Sequence, residues 1–112
     1  KVYREDIRVT LEEMGFSGSG CGTEQCVEAL LYIVLSEKKD VSITKDVYPY
    51  VAYVCKTNGR NVEINIRKSI EKVWLCGYEK KLRKLYPYEW SRESGRPTNA
   101  EFLRNMAKKW IR

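Results

Sequence analysis

Residues 44–75 read TKDVYPYVAYVCKTNGRNVEINIRKSIEKVWL, and the fold turns on how this stretch divides. Val62, Ile66, Ile70, Val73 and Trp74 recur at i, i+4, i+8, i+11 and i+12, one apolar stripe of a helix running over Arg60–Leu75. The opposite face presents Arg60, Asn61, Ile64, Asn65 and Lys68 along its first turns, flanked by Glu63, Arg67 and Glu71. Upstream, Val47, Val51, Ala52 and Cys55 fit a shorter helix over Thr44–Cys55, capped by Ser42 or Thr44. Pro49 suits only the opening turns of that helix, since it has no N–H to donate and its ring crowds the preceding turn. Lys56-Thr57-Asn58-Gly59 lies between the two. A short helix, a four-residue turn holding a glycine and a second helix with a polar, basic N-terminal half follow the grammar of a helix-turn-helix. Arg, Lys and Asn at the start of such a helix reach base edges in a groove, while the turn beside them lies near phosphate.

Working outward, the remaining segments read as helices too. Tyr3, Ile7, Leu11 and Met14 form a stripe of helical period that Gly15 ends. Ser17 to Gly22 is a glycine-rich linker, and it is not a P-loop, because Cys21 stands where that motif needs lysine. Thr23 is expected to cap a helix running to about Glu37. Cys26, Val27, Leu30, Leu31, Val34 and Leu35 give it a broad apolar face, which marks it as the central core helix. Lys38-Lys39-Asp40 reads as a turn. After Gly77, a basic helix over Glu79–Tyr86 carries Lys80, Lys81, Arg83 and Lys84, with Leu82 and Leu85 inward. Pro87 to Pro97 lacks periodicity. Thr98 and Glu101 then form a capping box before a last helix with Phe102, Leu103, Met106, Ala107 and Trp110 on one face. The expected fold is all-α, a six-helix bundle containing a helix-turn-helix, in one domain over 1–112.

Composition narrows the function. The chain has 112 residues with 43% hydrophobic content, enough for one core and too little for two. Residues 1–40 carry a net charge of −3 and residues 41–112 a net charge of +9. A basic C-terminal two thirds suits phosphate-bearing nucleic acid. No apolar run approaches the ~20 residues of a membrane helix, so no membrane role is expected. Cys21, Cys26, Cys55 and Cys76 form no CxxC pair and the chain has no histidine, so no metal site is expected; small buried thiols in a reducing cytosol is the reading. Without histidine, a Walker lysine or a convergent carboxylate pair, no catalytic residues and no cofactor are expected. Two other readings compete. A protein-interaction module would dock the long helix on a partner, and eight tyrosines suggest single-stranded nucleic acid.

Ser42-Ile43-Thr44-Lys45, Tyr48-Pro49, Ala52, Val62-Glu63, Ile66-Arg67, Ile70-Glu71, Trp74, Gly77 and Gly95-Arg96-Pro97-Thr98-Asn99-Ala100-Glu101-Phe102 stand in the order of a known pattern. The chain resembles the C-terminal DNA-binding effector domain of the stage zero sporulation response regulator family, over almost its whole length. The resemblance implies a cytoplasmic, two-component transcription regulator that binds double-stranded promoter DNA as a homodimer or head-to-tail pair on tandem sites. It implies an N-terminal receiver domain, absent here, which accounts for a chain that begins at Lys1 rather than Met. It also implies that the helix after the recognition helix, with Lys80, Lys81, Arg83 and Lys84, contacts RNA polymerase sigma factor. The expected DNA-binding residues are Lys56, Thr57, Arg60, Asn61, Glu63, Ile64, Asn65, Arg67 and Lys68. Glu63 and Arg67 match the family, whereas Asn61 and Ile64 stand where it has arginines and Lys68 replaces a histidine. Arginine is the commonest bidentate reader of guanine and Asn prefers adenine, so a changed target sequence is expected, with phosphate contacts kept by Lys56, Arg60, Arg67 and Lys68.

Overall fold

The computed structural model describes residues 3–36, 40–91 and 93–111, and among these there are helices and no strand. The helices are α1 (Tyr3–Met14), α2 (Cys21–Leu35), α3 (Tyr48–Val54), α4 (Gly59–Cys76), α5 (Glu79–Leu85) and α6 (Asn99–Ala107). The all-α, six-helix expectation holds. α2 is the central element and packs against α1, α3, α4 and α6. Its Cys26, Val27, Ala29 and Leu30 are fully buried, and Ile7 and Leu11 of α1, Val62 and Ile66 of α4, and Phe102 and Leu103 of α6 close around them. The expected stripe of α4 is the observed one: Val62, Ile66, Ile70 and Val73 are buried and Trp74 packs against the same core.

Local signals place most boundaries. Gly15 ends α1 at φ +115°, a conformation that side chains with a Cβ rarely adopt. Thr98 accepts a hydrogen bond from the Glu101 amide at 3.1 Å, and the Thr98 amide donates back to the Glu101 carboxylate at 2.9 Å, completing the capping box. Thr98→Ala should therefore cost about 1 kcal/mol of stability, read as a lower urea midpoint at unchanged m-value.

Several expectations are corrected. Thr23 does not cap α2, which starts two residues earlier at Cys21 behind an N-cap Gly20 that has no side chain to offer. The cause is tertiary. A Cβ on Gly22 would meet Ser69 Oγ at 1.9 Å and the Asn65 carbonyl at 2.8 Å, so this glycine lets α2 close onto α4 rather than loosening a linker. The outer end of the α2 face is also less buried than expected, with Leu35 57% exposed, while Gln25 and Glu28 are buried in its place. Glu28 pairs with Arg4 and Glu24 with Arg8, which ties α1 to α2. The helix read over Thr44–Cys55 is two pieces. Residues Ile43–Val47 form a wide turn in which the Val47 amide donates to Ser42 and the Tyr48 amide to Ile43, each reaching back five positions, before α3 begins. Ser42, not Thr44, caps it, accepting from the Lys45 amide at 3.0 Å. Pro49 falls in the first turn of α3, as it must.

The thiols are not uniformly buried: Cys26 is buried, Cys55 half-buried, and Cys21 and Cys76 exposed. Burial pushes the Cys26 thiol far above its ordinary range, so it stays protonated. α6 stops at Ala107, and Trp110 packs from the turn that follows it. The expected end of α2 at Glu37, the lysines of the 38–40 turn and Arg112 lie outside the described residues. The stretch 87–97, which has no period of its own, contributes Tyr88 and Trp90 to an aromatic cluster. There Trp74 meets Tyr86, Trp90 and Phe102 edge-on at centroid separations of 5.4, 5.4 and 5.9 Å.

Candidate nucleic-acid interface

The turn between α3 and α4 is built on a lysine. After the C-cap Cys55, the Thr57 amide donates to the Ala52 carbonyl at 2.9 Å and the Lys56 amide to Tyr53 at 3.4 Å. That pair of bonds is the Schellman arrangement, whose C′ residue takes a left-handed conformation and is usually glycine. Here it is Lys56, at φ +57°, the only non-glycine residue with positive φ among the described residues. The glycine of the turn, Gly59, is instead the first residue of α4. Asn58, to which sequence reading gave no role, caps α4 by accepting from the Asn61 amide at 2.9 Å. Its signal was available, since Asn directly before a helix is a favoured N-cap.

The residues expected to face DNA divide into three groups. Lys56, Arg60 and Lys68 are exposed and form no ion pair with any described residue, so their charges are free to meet an anion. Asn61 is exposed and donates through Nδ2 to Thr57 Oγ1 at 3.0 Å, which joins the turn to the helix it starts. Ile64 is half-buried beside them. The third group is engaged within the protein. Asn65 does not stand free on the outer face, because its Nδ2 donates to the buried Gln25 of α2 at 3.2 Å. Arg67 donates to Glu63 at 2.6 Å and lies 4.0 Å from Glu71, which accepts from Arg96 at 2.8 Å. The flank of α4 is thus an alternating ladder whose charges largely cancel. On α5, Arg83 pairs with Glu79 at 2.9 Å and lies 4.5 Å over the Trp90 ring, while Lys80, Lys81 and Lys84 are exposed.

Asn99, at the start of α6, braces the unit in a way the sequence reading did not foresee. Its Nδ2 donates to Tyr48 Oη at 2.9 Å and to the Glu63 carbonyl at 3.0 Å, so one amide group holds α3 and α4 at a fixed angle. Burial raises the Tyr48 hydroxyl pKa, with the Asn99 bond acting in the opposite sense. With Arg96 bonded to Glu71, Pro97 buried and Thr98 capping α6, the whole 96–99 segment is a clamp on the back of α4.

A short helix, a Schellman turn and a long capped helix with free cations at its start define a helix-turn-helix domain of all-α class. The chain belongs to the family described as the sporulation initiation factor Spo0A C terminal, which matches residues 7–110. That family is one of helical DNA-binding effector domains of the sporulation response-regulator type. Among the described residues, no three His, Cys, Asp or Glu side chains converge as a metal site, and no helix is long and apolar enough to cross a membrane.

Proposed function

We propose that residues 1–112 act as one effector unit that binds double-stranded promoter DNA with sequence specificity, α4 lying in the major groove. The observation that supports this best is the exposed start of α4. Arg60 and Asn61 project there, with half-buried Ile64 beside them, from a helix whose angle is fixed by Asn58, the Lys56 turn and Asn99. Asn61 and Ile64 read base edges, the amide suited to adenine and the methyl-bearing side chain to a thymine methyl. Lys56, Arg60 and Lys68 hold phosphates. Arg67, Glu63 and Asn65 serve to orient the helix rather than to read sequence, since each already has a partner within the fold. Two copies bind tandem sites in the cytoplasm, and Lys80, Lys81 and Lys84 meet RNA polymerase sigma factor, Arg83 being held back against Glu79 and Trp90. The domain works by binding and not by catalysis.

The test is salt-dependent binding to a random-sequence duplex pool, followed by selection of the tightest sites. Steep salt dependence with an enriched motif supports the reading, and absence of binding at low salt overturns it.

Lys56 offers a sharper check. A left-handed lysine costs about 1–2 kcal/mol, and glycine returns part of that as unfolded-state entropy, so Lys56→Gly should stabilise the protein by about 0.5–1 kcal/mol. The same variant should bind every duplex more weakly, because one phosphate contact is gone. Opposite signs in urea unfolding and duplex titration identify a residue kept for contact. Loss of both would show that the lysine serves the fold.

A further inference from the structure

We propose that the first turn of α2, together with Thr23, Lys68 and Lys72, is a phosphate-binding site that takes a phosphodiester of the DNA backbone bordering the groove. As a DNA contact this rests on the function proposed above. The cleft, of about 190 Å³, is lined by Ser17, Gly20, Thr23, Lys68, Ser69 and Lys72.

Four observations converge on it. α2 has 15 residues and begins behind Gly20 with no side-chain cap, so the Cys21, Gly22 and Thr23 amides point out of its positive end without an intrahelical acceptor. Thr23 is 2% exposed, yet its hydroxyl has no hydrogen-bond partner among the described residues and it lines the cleft. What little exposure Thr23 keeps includes its hydroxyl, so this donor is open to an acceptor from outside the protein. Lys68 and Lys72, one turn apart on α4, are exposed beside the same cleft without ion-pair partners among the described residues. Of the carboxylates nearby, Glu24 is paired with Arg8, while Glu12 sits against Gly18 of the loop before α2. Helix-end amides, a hydroxyl and two ammonium groups are the donors a phosphate oxygen needs. Because Lys68 and Lys72 continue the surface of α4 that begins at Asn61 and Ile64, a backbone in contact with that surface passes the cleft.

The gap at Gly22 is what brings these parts together. It lets the end of α2 close onto α4, so that Gly20 and Thr23 at the start of one helix and Lys68 and Lys72 of another border one small space.

The experiment uses the 112-residue protein with Thr23→Val and Lys72→Gln, each confirmed as helical by circular dichroism. Inorganic phosphate is titrated while the backbone amides of Cys21, Gly22 and Thr23 are followed by NMR, and duplex affinity is measured against salt. Wild type should show saturating shifts that Lys72→Gln weakens. Lys72→Gln should bind all duplexes about 3–10-fold more weakly, with the log–log salt slope reduced by about one. Thr23→Val should lose several-fold in affinity at an unchanged slope, since the hydroxyl is neutral. Saturating phosphate shifts with both variants binding duplex like wild type overturn the DNA assignment and leave a free phosphate ion as ligand. No shifts and no affinity change overturn the site. If wild type itself bound no duplex, the proposed function would fail, and the phosphate titration would still decide whether the cleft holds the anion.

Discussion

Gly22→Ala should lower the unfolding free energy by about 3 kcal/mol, the upper part of the range for overpacking a closed contact. Two effects oppose each other. Alanine is the better helix former by up to ~1 kcal/mol, but its Cβ would stand 1.9 Å from Ser69 Oγ and 2.8 Å from the Asn65 carbonyl. The hydroxyl can be displaced, whereas the carbonyl belongs to the backbone of α4 and moves only if the helix does. The clash therefore wins. Adding Ser69→Ala should recover about half of the loss, because it removes the nearer atom and leaves the carbonyl contact. Thermal and urea unfolding of the two variants measure this directly. A Gly22→Ala protein as stable as wild type would mean that α2 and α4 stand farther apart than described.

Asn61→Arg carries the largest effect expected on recognition. The side chain is exposed, and its one bond, to Thr57 Oγ1, is a solvent-facing contact whose loss costs little. The Asn58 cap binds the backbone amide of residue 61 and is indifferent to the side chain. Arginine at this position restores the residue expected of the family and supplies the two-pronged donor that matches guanine. Site selection with the variant should show a new guanine preference at one position of the motif, worth about 10–100-fold, or ~1–3 kcal/mol. Affinity for random duplex should rise only modestly. Identical motifs from the two proteins would place residue 61 outside the groove.

The elements that could be read in the chain are those with short-range causes. The period of α4, the stop at Gly15 and the box at Thr98 and Glu101 each depend on residues within a few positions of one another. What escaped depends on distant partners. Gly22 looks like linker until α4 is set against it, and Asn65 looks like a groove-facing amide until Gln25, forty positions away, accepts its hydrogen bond. The apolar pattern assigned Asn65 to the outer face, but it lies at the border of the buried stripe and turns toward α2. The wide turn before α3 and the left-handed Lys56 were hidden for a different reason: both replace an ordinary choice with a less common one, and local preference favours the ordinary. Of the proposed interface, the identities of the exposed residues were legible, and the pairing of Glu63 with Arg67 was not weighed. The fold showed that this pairing leaves only part of the basic face unpaired.

The Asn99 clamp has a calorimetric consequence. Segments that order as they bind bury surface twice, once in folding and once in contact, and their association carries a large negative heat-capacity change. Here the angle between α3 and α4 is already set by one amide group bonded to Tyr48 and to the Glu63 carbonyl. Association with a duplex should then show the heat capacity of docking alone, with nothing added from helix formation. Asn99→Ala should make that change more negative while leaving the contacting side chains intact, because the unbraced helix would complete its ordering on the DNA.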